Sequence, residues 1–586
     1  MSECRFEIEE CPPEQVGLLS RELGVSRALA QILVRRGFGE PERARAFLAA
    51  EEEHPPESFE GIDTAVELVL ANLRAGRRIT IHGDYDVDGI CSTAVLMGAL
   101  RELGGDVDSY LPDRAGDGYG LNETTVRRLA ARGTDLLITA DCAITAVEEV
   151  ALARELGMVV IVTDHHAPRP DGRLPQTPIV HPAVCGYPFV ELCATAVAYK
   201  LAQALYTAAG RDPQELSRDL DLVALATIAD VVPLLGENRT LVRRGLRALA
   251  GSAKPGLRAL MSVARVDPAK VDERSVAFAL APRLNAAGRL YRADAGLELV
   301  LTGDPLRAAQ IAAELDSANS ERRQVEMRIR FQAEAQMDEM GERAAYVLAG
   351  EEWHAGVIGI VASRLVERSG RPVVLIALDG ETGKASGRSV DAFDLLGGLT
   401  ACSSHLIRYG GHRAAAGLEI ERSRVAAFAD AFAAHADELL AAEDLLPSER
   451  VDAIVTGPEL GMELAEELQR LAPFGRSNPG VSLMLADAVF ADPRPMGEGK
   501  HLRFTVESHG ARSRAVAFGG GARLPVEEGV PVQATFTLEV NEWNGASEPR
   551  LVLRQAMPVP EAIEVRREED LSSEAAEEEL VLFAMP

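Results

Sequence analysis

The chain has 586 residues, of which 47% are hydrophobic and 26% charged, and its formal net charge is −29. This length exceeds what one hydrophobic core serves, so two to four domains are expected. No run of about 18 uncharged apolar residues predicts a membrane span. The acidic balance argues against a protein that coats duplex DNA non-specifically, although a local groove of arginine and lysine can still bind a phosphate chain.

The cysteine pattern and the first residues indicate a compartment. The seven cysteines are scattered and odd in number, and none forms a Cys-x-x-Cys pair. This pattern argues against a disulfide framework and against a structural zinc site. The acidic first 15 residues lack the apolar stretch of a signal peptide. We therefore expect a cytoplasmic protein without a membrane segment.

The predicted elements give an α/β protein of several domains. Apolar runs alternate with helical stretches in the first half, as in a parallel sheet, and the last region has short strands broken by glycine, as in an antiparallel barrel. Continuous helical spacing between two α/β domains predicts a connecting helix. The predicted bounds are 1–55 for an N-terminal helical segment, 56–304 for the parallel-sheet domain, 305–342 for the connecting helix, 343–446 for the second α/β domain, 447–560 for the barrel and 561–586 for a mobile acidic tail.

Polar clusters follow the apolar runs of the α/β domains directly. They stand at the carboxyl ends of predicted strands, where open α/β sheets bind their ligands. The predicted strands are 78–82, 107–111, 135–140, 158–163, 178–181, 345–349 and 373–377. The predicted helices between the first five strands include 92–103 and 146–156. Glycine-rich turns are predicted at 386–389 and 410–412.

The first polar cluster contains three alternating aspartates, Asp84, Asp86 and Asp88, followed by Gly89 at a predicted turn into a helix. In an extended loop, such alternation points the three carboxylates to one side. Three like charges so close repel each other unless a cation neutralises them. Oxygen ligands of this kind favour Mg²⁺ or Mn²⁺. A solvated acidic turn is the alternative interpretation of this motif alone.

Three further polar positions follow or interrupt apolar runs. His165 and His166 follow one predicted strand, Asp141 ends another, and Asp230 lies within an otherwise apolar segment. A buried carboxylate is costly unless it is paired or bound to metal, and imidazole favours Mn²⁺ over Mg²⁺. Singly, each residue could be a cap, a turn or a structural residue. Together with the aspartate cluster, they predict a two-metal phosphoesterase with ions about 3.5–4 Å apart.

These motifs, in this order, resemble the DHH phosphoesterase superfamily, named for an Asp-His-His motif that stands here at 164–166. The resemblance covers nearly the whole chain and narrows to the RecJ family, because HGDYDVDG, APRLNAAGR, LDSANSERR, SGRS, GGHRAAAG and LAPFGRSNP all read like RecJ stretches. It implies a DHH domain, a DHH-associated domain and an OB-like barrel. It also implies a 5′-to-3′ exonuclease that degrades single-stranded DNA to mononucleotides in recombination and repair.

Two other functions stay open at this stage. One is a DHH phosphodiesterase that acts on short RNA or cyclic dinucleotides, for which the connecting helix and the barrel would be superfluous. The other is a DNA-binding scaffold without catalysis, against which the complete set of expected ligands argues. The resemblance further implies a monomer that works with a helicase and a single-strand-binding protein.

The resemblance assigns roles to the polar residues around two divalent ions, Mn²⁺ or Mg²⁺. Asp141 is expected to bridge the ions, and His166 to lie near the scissile phosphate. The implied metal ligands are Asp86, Asp88, Asp141, His165 and Asp230, with His82 and Asp84 as ligands or directly behind them.

The resemblance also implies contacts to DNA. Two arginines and a hydroxyl suit a terminal phosphate dianion, which implies a 5′-phosphate pocket at Arg114, Ser386 and Arg388. The other implied contacts, each of which could instead be structural, are His412 in the same cleft, Tyr119 as a stacking platform, Arg283 and Arg289 on the phosphate backbone, and Arg503, Phe504 and Trp543 on the barrel.

One position departs from the family pattern. A glycine usually stands two residues after the aspartate that corresponds to Asp141, whereas this chain has Ala143. The methyl group of alanine disfavours a positive φ. The geometry beside the expected bridging carboxylate is therefore in question.

Overall fold

The computed structural model describes residues 5–112, 120–290, 294–441, 445–519, 521, 523–543 and 545–559, without the side chains of 287, 289, 290 and 543. The chain divides into two compact units, Met1–Ala453 with Met462–Ser482, and Ile454–Gly461 with Leu483–Pro586. The predicted acidic tail lies outside the described residues. Among the helices that are described, none is long and apolar enough to cross a bilayer.

The N-terminal segment is helical and is tied to the chain just before the barrel. Its elements are β1 (Arg5–Glu7), α1 (Pro13–Leu23), α2 (Arg27–Arg35) and α3 (Pro41–Ala49). β1 pairs in parallel with a strand at Ser448–Arg450. Arg36 donates to both carboxylate oxygens of Asp452, at 3.0 and 2.9 Å. This bidentate pair is buried and fixes the two regions together.

A five-stranded parallel sheet forms the centre of the first α/β domain, as predicted. Its elements are α4 (Ile62–Arg74), β2 (Ile79–Gly83), α5 (Val87–Glu102), β3 (Val107–Tyr110), α6 (Glu123–Ala131), β4 (Leu136–Ala140), α7 (Val147–Glu155), β5 (Val159–Thr163) and β6 (Ile179–Val180). The strand order is β3-β2-β4-β5-β6. Alternate residues of β4 belong to different apolar cores, because helices cover both faces of the sheet.

The register of the sheet determines where the polar clusters meet. Gly83 of β2 pairs with Ala140 of β4, which pairs with Thr163 of β5. The residues that follow these three strands therefore lie at one edge of the sheet. This is the carboxyl edge, as the sequence predicts.

A layer of helices follows β6. Its elements are α8 (Ala194–Ala208), α9 (Leu220–Ala229), α10 (Gly236–Ala250), α11 (Pro255–Ala264), α12 (Glu273–Ser275), α13 (Ala281–Leu290) and α14 (Asp294–Leu301). α5 packs against α8 and α9. α5 and α9 are apolar on nearly all sides because they lie inside this layer. In α13, Asn285 accepts the backbone N–H of Val87 at 3.1 Å, which ties α13 to the start of α5.

One long helix, α15 (Pro305–Met340), connects the two lobes of the first unit. It begins where Asp304 accepts the N–H of Leu306. Its first turns pack into the core of the first α/β domain, and its later turns pack against the second α/β domain. The predicted connecting helix is thus confirmed.

The second α/β domain contains a mixed five-stranded sheet of order β10-β11-β9-β8-β7. Its elements are β7 (Tyr346–Glu351), α16 (Ile358–Ser369), β8 (Val373–Asp379), β9 (Thr382–Arg388), α17 (Leu395–Ala401), β10 (Arg408–Gly411), β11 (Ala415–Glu421) and α18 (Val425–Leu439). The predicted turns are wrong for residues 386–388, which belong to β9, and for residues 410 and 411, which belong to β10. A Cβ at Gly387 would lie 3.1 Å from Leu395 and 3.2 Å from Val374. Glycine is needed there for close packing within a strand.

The last region forms a closed five-stranded barrel, as predicted. It is preceded by β12 (Ser448–Arg450), β13 (Ala453–Ile454) and α19 (Met462–Leu468), and its strands are β14 (Leu483–Met496), β15 (His501–Ser508), β16 (Ala511–Phe518), β17 (Pro531–Trp543) and β18 (Ala546–Pro558). β14 pairs with both β15 and β17, and β16 pairs with β18, which closes the barrel. Phe490, Phe504 and Phe536 fill its interior.

Candidate metal centre

The polar residues that follow β2, β4 and β5 converge with the end of α9 in one cluster. Nε2 of His165 lies 3.3 Å from Oδ1 of Asp141, 3.6 Å from Oδ2 of Asp230 and 3.7 Å from Oδ2 of Asp88. His166 also reaches this cluster, with its Nδ1 3.7 Å from Oδ1 of Asp141. Residues distant in the sequence thus surround one small volume.

The remaining aspartates of the first motif complete the cluster. Ligand atoms of Asp84, Asp86 and Asp141 all lie within 4.8 Å of one another. His82 at the end of β2 is fully buried, and its ring stacks on Tyr110 with centroids 5.6 Å apart. The structure therefore brings together seven of the eight residues for which the sequence suggests a catalytic or metal-binding role, and Nδ1 of the eighth, His82, lies 3.4 Å from Sγ of Cys142.

The expectation that the three aspartates alternate in an extended loop is wrong for Asp88. Asp86 caps α5, because its Oδ1 accepts the N–H groups of Asp88 and Gly89 at 2.9 and 3.1 Å. Asp88 therefore lies in the first helical turn. The first N–H groups of a helix need acceptors, so a carboxylate at this position starts the helix early. A Cβ at Gly89 would lie 2.4 Å from the carbonyl oxygen of Asp84, so only glycine allows the loop to lie this close to the helix.

Asp88 is also held by a second helix. Its Oδ2 accepts the N–H of Ala194 at 2.7 Å, and its Oδ1 accepts the N–H of Thr195 at 2.8 Å and the hydroxyl of Thr195 at 2.6 Å. These donors lie at the N-terminus of α8, where the helix dipole favours a negative charge. The sequence analysis missed this clamp, because nothing in the local pattern around Ala194 links it to Asp88.

Asp164, the aspartate of the Asp-His-His motif, orients the two histidines. Its Oδ1 accepts the N–H of His165 at 2.7 Å and Nδ1–H of His166 at 2.8 Å, and its Oδ2 accepts the N–H of Ile144 at 2.9 Å. Burial by itself would lower the pKa of His166, but the hydrogen bond and the charge of Asp164 raise it to about 9. Asp164 therefore stabilises the protonated form of His166.

The cluster carries more negative charge than its surroundings can stabilise. Burial, followed by the charges of Asp88, Asp86 and Asp84, raises the pKa of Asp141 well above its usual range. Burial and the charges of Asp88 and Asp86 raise the pKa of Asp230 to about 8. Carboxylates that repel each other in this way need a cation among them.

The donor set fits divalent cations. Oδ1 of Asp141 and Nε2 of His165 are buried and have no hydrogen-bond partner among the described residues. Buried polar atoms without partners are costly, and a metal ion would satisfy both. Carboxylate oxygens with one or two imidazole nitrogens suit Mn²⁺ or Mg²⁺ better than soft metals.

The backbone beside the cluster is strained at two successive turns. Asp141 has φ of 68° and Ala143 has φ of 84°. The left-handed region is unfavourable for both residue types. Ala143 thus occupies the conformation for which glycine is the usual residue, and Asp141 nevertheless reaches the cluster.

Ser386 and Arg388 lie together on β9 of the second α/β domain, beside the start of α16. Nη1 of Arg388 donates to Oγ of Ser386 at 3.1 Å, and burial lowers the pKa of Arg388. A Cβ at Gly359, in the first turn of α16, would lie 2.9 Å from Oγ of Ser386 and 3.2 Å from Nη2 of Arg388. A helix N-terminus, a hydroxyl and a guanidinium therefore meet, and such a combination binds phosphate.

The other residues for which DNA contacts are implied have varied environments. His412 is exposed in the turn before Ala415, the strand partner of Arg388. Arg283 is 8% exposed and pairs with Asp316 at 2.9 Å. Phe504 is buried in the barrel, so the expected base contact by Phe504 is wrong, whereas Arg503 is exposed. Arg114 and Tyr119, and the side chains of Arg289 and Trp543, lie outside the described residues.

Comparison with known families identifies three segments of the chain. Residues 78–227 match the model of the DHH family N-terminal domain, 341–441 match the DHHA1 domain, and 451–555 match the RecJ OB domain. A single-stranded-DNA-specific exonuclease RecJ of Bacillus subtilis is 37% identical over 95% of this chain and 71% of the relative. The RecJ exonuclease of Escherichia coli is 36% identical over 86% of this chain and 92% of the relative. The chain belongs to the RecJ family.

A solved RecJ structure agrees with this assignment. The crystal structure of RecJ from Thermus thermophilus in complex with Mn²⁺ superposes with a TM-score of 0.84 at 33% identity, and the match covers 95% of this chain and 80% of that chain. A second structure of the Thermus protein, in complex with Mg²⁺, superposes with a TM-score of 0.77. The RecJ fold therefore extends over nearly the whole chain.

Proposed function

We propose that this RecJ-family chain is a metal-dependent exonuclease that hydrolyses single-stranded DNA from the 5′ end to mononucleotides. The observation that carries the proposal is the convergence of Asp88, Asp141, His165 and Asp230, whose ligand atoms share one small volume. The Bacillus subtilis and Escherichia coli relatives are single-stranded-DNA-specific exonucleases, and the RecJ structure from Thermus thermophilus contains Mn²⁺.

The cluster would hold two divalent ions, Mn²⁺ or Mg²⁺. Asp141 lies in two of the three groups of side chains that could hold an ion, which suits a bridging carboxylate. The ligands of the second ion would be Asp88, His165 and Asp230. When bound, the ions would polarise the phosphodiester and lower the pKa of a water molecule, which is the chemistry that hydrolysis needs.

Side chains of this chain prepare the site for a phosphate. Asp164 accepts Nδ1–H of His166 and raises the pKa of His166, which favours a positive charge beside the acidic cluster. Such a charge would stabilise the extra negative charge of the transition state. The N–H groups of Ala194 and Thr195 already hold the carboxylate of Asp88 in place.

Ser386 and Arg388 would let the enzyme bind the end of a DNA strand. A pocket built from a helix N-terminus and a guanidinium suits a terminal phosphate dianion, which carries more charge than an internal phosphodiester. Binding of that end would place the first linkage for cleavage. The OB domain would bind single-stranded DNA, as OB folds do.

The reaction and its polarity can be tested together. Single-stranded DNA labelled at either end is incubated with the protein and Mn²⁺, alongside duplex DNA, short RNA and a cyclic dinucleotide. A 5′ label should appear at once as a mononucleotide, while a 3′-labelled strand shortens stepwise. Faster cleavage of short RNA or of the cyclic dinucleotide would contradict the proposal, as would DNA binding without cleavage.

The phosphate pocket has its own test. Arg388→Gln should abolish the preference for a 5′-phosphate over a 5′-hydroxyl. Arg408→Gln is the matched control, because it removes the same charge from an exposed arginine on β10 of the same sheet, where Arg408 pairs with Glu419. An unchanged preference in Arg388→Gln would remove the pocket from the proposal.

The setting of the enzyme follows from its substrate. An exonuclease for single strands needs a helicase that unwinds duplex DNA, and it meets strands coated by a single-strand-binding protein, so we propose both as partners in recombination and repair. The described cysteines are free thiols, as expected in a reducing cytoplasm.

A further inference from the structure

A loop far along the chain packs beside Asp230 and presents an arginine there. The loop comprises residues 473–479. The N–H of Leu234 donates to the carbonyl of Arg476 at 2.9 Å, and Nη1 of Arg476 donates to the carbonyl of Val231 at 3.4 Å. The segment that follows Asp230 is thus bonded to this loop in both directions.

The buried side-chain amide of Asn478 fixes the conformation of this loop. Gly475 and Asn478 exchange backbone hydrogen bonds at 2.8 and 3.1 Å. Asn478 is 1% exposed, its Nδ2 donates to the carbonyl of Pro473 at 2.7 Å, and its Oδ1 accepts from Nη1 of Arg36 at 2.7 Å. Arg36 is itself held by Asp452. The position of Arg476 is therefore set by a rigid network.

The guanidinium of Arg476 is exposed and lies within electrostatic reach of the metal centre. Its Nη1 lies 3.4 Å from the carbonyl oxygen of Val231, which directly follows the proposed ligand Asp230 in the chain. Within the described part of the chain, no carboxylate forms an ion pair with Arg476.

We propose that Arg476 binds a non-bridging oxygen of a substrate phosphodiester, at the scissile linkage or the next one. This inference rests on the proposed function, because it takes a DNA strand as the ligand. Arginine suits phosphate since it offers several fixed donors and keeps its charge. The contact at 3.4 Å to the Val231 carbonyl occupies one donor and leaves the others for a phosphate. A residue within the OB-domain match would thus complete a site built by the DHH domain.

Three variants test the proposal on 5′-phosphorylated single-stranded DNA in Mn²⁺. Arg476→Gln should lower kcat/KM by about 10- to 100-fold, the usual effect of losing one charge-assisted bond. The salt dependence of KM should weaken by about 0.7 in the logarithmic slope, as for one lost contact to a single strand. Arg476→Lys should recover part of the lost kcat/KM. Arg470→Gln, which removes the same charge just before the loop, should behave like the wild type.

A neutral linkage then locates the contact. A strand with a methylphosphonate at its second linkage should be cut more slowly by the wild type. If Arg476 binds the second phosphate, Arg476→Gln adds no further loss on this strand. If it binds the scissile phosphate, Arg476→Gln lowers kcat equally on both strands.

Two outcomes would overturn the inference. One is a wild-type kcat/KM and salt slope in Arg476→Gln. The other is a lower kcat/KM in both Arg476→Gln and Arg476→Lys together with a lower melting temperature in both variants. That result would show that Arg476 only holds the loop in place. Neither affects the proposed function, which fails only if the wild type itself does not cleave single-stranded DNA.

Discussion

Asp88 and Thr195 are joined twice, because one carboxylate oxygen of Asp88 accepts both the backbone N–H and the hydroxyl of Thr195, at 2.8 and 2.6 Å. Asp88 lies on α5 and Thr195 at the start of α8. The two helices pack together within the core. The position of a proposed metal ligand therefore depends on how two core helices meet.

Replacing Thr195 by valine should weaken metal binding. The variant keeps the shape of the side chain and removes one of three donors to Asp88. Loss of a hydrogen bond behind a metal ligand costs about 10-fold or more in metal affinity, so Mn²⁺ titration should show a fall of this size. Thr195→Ser should restore affinity, and Thr207→Val, on the same helix, should have no effect. Unchanged affinity in Thr195→Val would show that the hydroxyl is dispensable.

Asp141→Asn should abolish cleavage and stabilise the metal-free protein at the same time. Burial and three neighbouring carboxylates raise the pKa of Asp141, so its negative charge opposes folding when no cation is present. DNA binding should persist, and the stabilisation by Mn²⁺ seen in thermal unfolding should disappear. Asp135→Asn is the control, because Asp135 directly precedes the first residue of β4, at the opposite edge of the sheet from Asp141. Residual Mn²⁺-dependent cleavage would exclude Asp141 as the bridging ligand.

Metal binding should depend on pH through Asp230. The pKa of Asp230 is raised to about 8, whereas an unfolded aspartate titrates near 3.9. The folded metal-free protein therefore holds an extra proton between these values and loses stability as the pH rises through them. Mn²⁺ must displace that proton, so calorimetry should show affinity that increases up to about pH 8 and then levels off. A pH-independent affinity would refute this assignment.

Ala143→Gly should stabilise the protein. Ala143 has φ of 84°, which glycine adopts without a steric penalty. The relief of strain exceeds the added entropy of the unfolded chain, for a net gain of about 0.5–1 kcal/mol. Urea unfolding measures this gain. Ala146→Gly, where φ is −86°, should instead destabilise by about 0.5–1 kcal/mol. Destabilisation by Ala143→Gly would show that its methyl group contributes packing.

Much of the fold can be predicted from the sequence because the signals are local. Apolar runs ending in Asp141 or His165 predict parallel strands, and the carboxyl ends of such strands meet at one edge whatever their order. The barrel follows from alternating residues, as for Phe504, which faces the interior. The same locality explains the errors. The stretch around Gly387 predicts a turn because glycine at a close contact cannot be told from glycine at a bend without the packing partners.

The sequence by itself determined which chemical groups are present and on which strands they end, since carboxylates and imidazoles after buried strands leave few uses other than binding cations. Only the tertiary structure decided how those groups are held. Thr195 supports Asp88, and Arg476 contacts Val231, the neighbour of Asp230, across 245 residues of sequence. Contacts of this kind depend on how helices and loops pack, and no local pattern records that packing.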